Sequence, residues 1–401
     1  MSPRHRQRPG AGPPPANPGA QRLALFDLGF RPFYLLAAVF AAVSVPLWVL
    51  EIAGWLPARY LHDPVWHGHE MLFGFTIAVV TGFLFTAVRN WTGQPTPTGA
   101  VLAGYALLWL AGRVLALTPH ALIAAVANAA FPLAVAVGIG IPLARSGNRR
   151  NYFFVVLLAL LGIVTLVVHL SHLGMLAWPQ LATLQVGLDC VLFIMAVMGG
   201  RVIPMFTNNG IPGLQARRSP IVERLALGGV LVLLAADLVQ APSGVVAVLA
   251  LAVAAAHAAR LWLWQPWRTG SAPMVWVLHA AYAWIVVHLV LRAMAAWGLI
   301  AEPLAVHALT IGAIGGLTIG MMTRTARGHT GRPLTADRFE VACYLLVQLA
   351  AIVRVFGGML LPDSYLLTVI ASAFCWSCAY ALYAIRYWPI LARARADGKP
   401  G

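Results

Sequence analysis

Twelve histidines occur in a chain that carries only 12 Asp and Glu, and several of them fall inside apolar stretches. An ionisable side chain in a hydrocarbon layer is costly, so each is a candidate for ligand binding or proton transfer. His67 and His69 sit in WHGHEMLFGF (66–75), His169 and His172 in VVHLSH (167–172), His279 in LHAAYAW (278–284), and His307 heads HALTIGAIGG (307–316). His169 and His172 are i, i+3 on one helix face, a spacing that lets two imidazoles reach one centre or two adjacent ones. His67 and His69 are i, i+2, so a regular helix points them apart. Either one of them is in the entering loop, or only one is a ligand. His279 and His288 are about half a turn out of phase and do not serve one site.

Neutral imidazole suits haem iron and copper better than Mg or Ca sites, which take oxygen ligands. Two outer-leaflet histidines on equivalent helices, His69 and His307, suit the two axial positions of one haem or two positions on one copper. Glu70 is a candidate to orient His69. Asp189 is the one carboxylate well inside a span, placed to pair with an Arg or relay protons. Arg324, Arg327, His329 and Arg332 offer an anion site for groups such as haem propionates, or else a solvated basic loop. The plain alternative for each His is a hydrogen bond to a neighbouring helix.

The elements that must position these residues are membrane helices. Sixty per cent of the residues are hydrophobic and 10% charged, too few charges for a soluble domain of this size. About twelve transmembrane helices are expected, at 32–51, 69–88, 100–118, 121–143, 152–177, 181–203, 221–240, 243–263, 273–297, 303–323, 337–360 and 364–388. This makes an all-α integral membrane domain over residues 26–392. A disordered cytoplasmic tail (1–25) and a short cytoplasmic C-terminal tail (393–401) flank it. Pro204 is expected to break or kink the sixth helix.

The net charge of +15 does not mark nucleic-acid binding. Counted from a cytoplasmic N-terminus, 23 of the 27 Lys and Arg fall on the inner side, and the outer side has only Arg59, Arg113, Arg292 and Arg354. That asymmetry is the positive-inside signature and puts both termini in the cytoplasm. Residues 1–25 lack an apolar segment of signal-peptide type. Cys375 and Cys378 form C-x-x-C within the last helix, where small core residues are the simplest reading, and Ala379 rules out c-type haem attachment.

An internal repeat organises the helices. His69 leads to RNWTGQP (89–95) and His307 to RGHTGRP (327–333). Gly follows at five and thirteen residues, Arg at twenty, then a shared x-x-T-G-x-P. A fainter copy ends the sixth helix at FTNNGIP (206–212). Helices 2, 6 and 10 are spaced by four, which suggests a four-helix unit used three times.

FRPFYLLAA (30–38), WHGHEMLFGF, AVRNWTG (87–93), RVIPMFT (201–207), LHAAYAW and the segment from His307 through Arg332 resemble, in order, the NnrS family. Arg89 departs from its pattern, as do Ala280 and Ala281, at positions that are not proposed ligands. The resemblance implies a bacterial inner-membrane protein with haem and copper, linked to denitrification and protection from nitric oxide. Carried across, it implicates His67, His69, His279 and His307 and, more weakly, His329 in cofactor binding, while Arg327 is a cofactor-binding candidate through the anion-site argument. His169 and His172 rest on the spacing argument alone. The three four-helix units also resemble the catalytic subunit of haem-copper oxidases and nitric oxide reductases, as a fold-level analogy.

The expected function is therefore that of a haem/copper membrane protein binding nitric oxide or metal-nitrosyl species in the outer half of the bilayer. An oxidoreductase activity and an electron donor in the membrane or periplasm are compatible with that. The alternatives are a transporter or channel with a His/Arg-lined path, and a sensory or assembly protein with structural metal.

Overall fold

The computed structural model describes residues 23–56, 60–61 and 64–399. The tail expected over 1–25 is, through residue 22, outside the described residues. Long helices make up the rest: α1 (Phe30–Ile52), α2 (Val65–Thr92), α3 (Gly99–Leu115), α4 (Ala121–Arg145), α5 (Tyr152–His172), α6 (Gln180–Gly210), α7 (Pro220–Leu238), α8 (Ser243–Leu263), α9 (Pro273–Ala296), α10 (Glu302–His329), α11 (Arg338–Leu360) and α12 (Tyr365–Ala392). No strand forms among the described residues. Ten of these helices are long and apolar enough to cross a membrane. The other two are α3, with 17 residues, and α7, which carries Glu223, Arg224 and Asp237.

Local chemistry sets the ends. Pro stands in the first turn of α7, α9 and α10, where its fixed φ suits a helix start and its missing N–H costs nothing. Asp337 and Glu340 form a capping box at the start of α11. Both T-G-x-P exits close on a left-handed glycine, Gly93 at φ +66° and Gly331 at φ +72°. Only glycine takes that conformation without strain, and the following Pro prevents the helix from resuming. The two helices share a second irregularity. A π turn follows His69 at Glu70–Thr76 in α2, and another follows His307 at Ala308–Gly315 in α10. Such turns are frequent at functional sites.

Two expected ends differ. Pro204 does not stop α6, which runs on to Gly210; within a bundle, neighbouring groups compensate for the lost backbone bond. α10 reaches His329 instead of ending near 323, so Arg324, Arg327 and His329 are helical and not loop residues.

Successive helices pack as neighbours, and α1 closes the ring against α12. Arg31 ties that seam by donating to the carbonyls of Leu391 at 3.0 Å and Arg393 at 2.7 Å. Helices α2, α6 and α10 face the centre, where all three line a cavity of about 300 Å³ and a smaller one of about 100 Å³; Thr76 and Ile314 border both. The helix α3 runs the length of α2, since Gly99 N–H bonds Phe26 O beside the start of α1 and Arg113 reaches Glu70 at the head of α2. Likewise α7 starts with Glu223 on Arg260 at one end of the bundle and finishes with Asp237 on Arg292 at the other. The C-terminal segment folds back on the exit of α10. Ala396 N–H donates to Thr330 O, and Arg395 donates to His329 O.

Candidate metal-binding site

The larger cavity opens at the end of the bundle where α2, α6, α10 and α12 begin. Its wall is mostly apolar, with His67, Gln185, Glu302, His307 and Arg354 among its polar groups and Trp48 and Trp376 supplying aromatic faces. The His67 ring stacks on Trp48, with centroids 4.1 Å apart and planes 20° apart. The His307 ring is the next one to it, with centroids 6.2 Å apart and planes at 15°. The Nδ1 of His67 is buried without a hydrogen-bond partner among the described residues. His307 Nδ1 is 2.6 Å from Pro303 O. A carbonyl only accepts, so this nitrogen carries the proton and the Nε2 of the neutral ring keeps its lone pair. Fixing one imidazole nitrogen so that the other is free to coordinate is the usual support of a metal-ligating histidine.

His69 belongs to a separate, fully buried cluster. His67 and His69 occupy the regular α-helical start of α2, Val65–His69, where two residues of separation is about 200° of rotation. Thus His67 faces the cavity and His69 turns toward α5. The repeat aligns His69 with His307, yet the histidine that His307 meets is His67. His69 Nδ1 is 2.9 Å from Glu70 Oε1, and Arg113 donates to the same oxygen at 2.7 Å. Arg113 also donates to Asn128 Oδ1, whose amide nitrogen bonds Ala124 O and Gly112 O. On the opposite edge, His69 Nε2 is 3.0 Å from His169 Nε2, and His169 Nδ1 is 2.5 Å from the Tyr60 hydroxyl.

One proton arrangement satisfies this chain with neutral imidazoles. His69 gives its Nδ1–H to the carboxylate and accepts at Nε2 from His169, which in turn accepts at Nδ1 from Tyr60. Burial, and after it the nearby Glu70 charge, pushes the Tyr60 phenol above its ordinary pKa, keeping it a neutral donor. His172 does not join the imidazole pair. Its ring is edge-on to Tyr60 at 5.8 Å, and its Nδ1 is 3.3 Å from Gln180 Nε2.

The remaining predicted residues are at the far end of the bundle. His279, on α9, places Nε2 2.8 Å from Thr207 Oγ1 near the end of α6. His329, the last residue of α10, packs on Phe30 at 5.6 Å. Arg327 pairs with Glu340 at 2.8 Å, and Arg324 is over the Phe206 ring at 3.9 Å. These residues are not brought together with His67 and His307. The charge of Arg327 is matched by the α11 cap and is not presented as an open anion site. Nearer the cavity end, His288 places Nδ1 2.8 Å from Ala305 O in the first turn of α10, and Asp189 accepts from Gln185 and Arg292, both at 3.0 Å. Cys375 and Cys378 are free thiols. Among the described residues, no cluster of three or more His, Cys, Asp or Glu side chains has a metal-binding arrangement.

A sequence model of the NnrS protein family matches residues 24–395. The chain belongs to that family. The match takes in every helix described above and both histidine clusters, and the membership suggests a role linked to the nitric oxide response. No curated protein matches the chain. Sequence reasoning did not single out Trp48, Tyr60, Asn128, Arg113 or Arg354 as site residues. Two of these, Arg113 and Arg354, are among the four basic residues that break the positive-inside pattern, and that exception was the available signal.

Proposed function

We propose that this multi-pass membrane protein binds haem and copper and acts in nitric oxide metabolism or in protection from nitrosative stress. The observation that carries the reading is the facing pair His67 and His307 in one apolar cavity, with His67 Nδ1 unpartnered and His307 Nδ1 engaged by a carbonyl. Two imidazoles and a buried guanidinium in a mostly apolar wall fit the donor set and counter-charge that a haem requires. His67 and His307 would hold the iron, and haem when bound supplies a small-ligand or electron-transfer centre tuned by its axial ligands and pocket polarity. For copper the nearest imidazole pair is His69 and His169, whose Nε2 atoms would have to give up their mutual contact at 3.0 Å to hold the metal, with Glu70 fixing the orientation of His69. Around both, the chain's own groups hold ring orientation and keep water out.

The same reading has twelve spans, with α3 and α7 crossing because each runs the length of its neighbours, and with both termini in the cytoplasm of a bacterial inner membrane. The cavity is then in the outer half of the bilayer, accessible to nitric oxide and to an electron donor in the membrane or periplasm. The transporter alternative gains no support from the smaller cavity, whose lining contains neither His nor Arg. A visible spectrum of the purified protein, with and without nitric oxide, and elemental analysis test the proposal. A Soret band that shifts on adding nitric oxide, together with bound copper, is expected. Absence of both the band and copper overturns the reading.

A further inference from the structure

Among the described residues three arginines are buried toward the cavity end of the bundle, and two of them are neutralised by carboxylates. Arg113 pairs with Glu70, and Arg292 with Asp189 and Asp237. Arg354, only 3% exposed, makes no ion pair among the described residues. Its Nη2 donates to the Tyr365 hydroxyl at 2.7 Å, and its guanidinium is 4.9 Å from the Tyr365 ring centre. Its Nη1 has no hydrogen-bond partner among the described residues. This side chain is in the wall of the cavity that holds His67 and His307, on the π turn Val353–Gly357 of α11. Among the described residues the carboxylate in that wall is Glu302, an exposed residue in the first turn of α10 that does not pair with it. A buried cation left without an anion in an apolar setting is strongly unfavourable, whereas Arg with a free N–H fork is well suited to grip a carboxylate.

We propose that Arg354 anchors a carboxylate carried by the ligand of this cavity. On the haem reading above, upon which this inference rests, that carboxylate is a propionate. The imidazoles would then hold the metal, and Arg354 would hold the propionate. The basic exit of α10 takes no part.

The test is a spectroscopic binding titration of the purified, haem-depleted protein with protohaem and with its dimethyl ester, in which the propionates are neutral. The wild type is expected to prefer the free acid by about tenfold or more, the range of a charge-assisted hydrogen bond. Arg354→Gln should bind the two porphyrins alike, and Arg354→Lys should keep part of the preference. The ratio is taken within each variant, so a general loss of affinity does not mimic the effect. If Arg354→Gln keeps the wild-type preference, the anchor assignment is wrong while haem binding stands. If the Gln variant binds neither porphyrin, the Lys variant decides, and a Lys variant without any preference also overturns the assignment. Wild-type protein that binds neither porphyrin overturns the haem reading itself.

Discussion

The rings of His67 and His307 face each other with centroids 6.2 Å apart and planes within 15°, although they come from helices separated by more than 200 positions in the chain. Both nitrogens of His69, by contrast, have protein partners, Glu70 and His169. His67→Ala and His307→Ala are therefore expected each to abolish or strongly reduce haem content, read as haem absorbance per protein. His69→Ala should retain it. Loss of haem in His69→Ala with retention in His67→Ala would reverse the assignment.

Much of the scaffold was legible in the sequence because membrane helices announce themselves by length and apolarity. The expected 243–263 and 273–297 coincide nearly with α8 and α9. The histidine-bearing helices were legible too, and the divergence of His67 from His69 follows from two-residue spacing. The identity of the partner was not. Which of two histidines meets His307 depends on how α2 and α10 are rotated against each other, and the repeat points to His69 because it records alignment along the helix and not rotation about it. Arg113, Arg292 and Arg354 were visible only as violations of a charge rule. Their partners, Glu70, Asp189 and Asp237 for the first two, are set by packing between distant helices. Pro204 was only half informative: a local rule allowed a break or a kink there, and the helix does not break but runs on to Gly210.

The pairing of Glu70 with Arg113 predicts a coupled stability effect. Arg113→Leu leaves the carboxylate buried beside His69 without its cation and should cost about 3–5 kcal/mol. Adding Glu70→Gln to that variant should recover a substantial part. Thermal unfolding in detergent, followed by circular dichroism, reads both. Strict additivity of the two changes would mean that the ion pair contributes no coupling.

At the far end, Asp337 caps α11 and accepts from Phe339 N–H at 2.8 Å, while Glu340 accepts from Asp337 N–H at 2.9 Å. Hydrogen bonding with the Glu340 side chain, then with Phe339 N–H and Arg386, lowers its pKa from 3.8 to about 2. A depressed folded-state value means that its contribution is complete above the ordinary carboxylate range and is lost as pH falls from about 4 through about 2. Asp337→Ala should destabilise the protein by about 1 kcal/mol at neutral pH, and the difference from wild type should shrink toward pH 2. A difference that stays constant across that window would assign the effect to something other than the cap carboxylate.

Arg292 serves two acids at once, Asp189 on α6 and Asp237 on α7, and this makes its neighbours unequal to it. Removing the arginine leaves two carboxylates facing each other, one of them fully buried. Removing Asp189 as Asn leaves the guanidinium paired with Asp237 and keeps a side-chain oxygen toward Gln185. Arg292→Leu is therefore expected to be the more damaging change, by about 3–5 kcal/mol against wild type, with Asp189→Asn clearly milder. The order should appear in the unfolding temperatures of the two variants in the same detergent. Equal losses would mean that Asp189, and not the shared arginine, is the centre of this network.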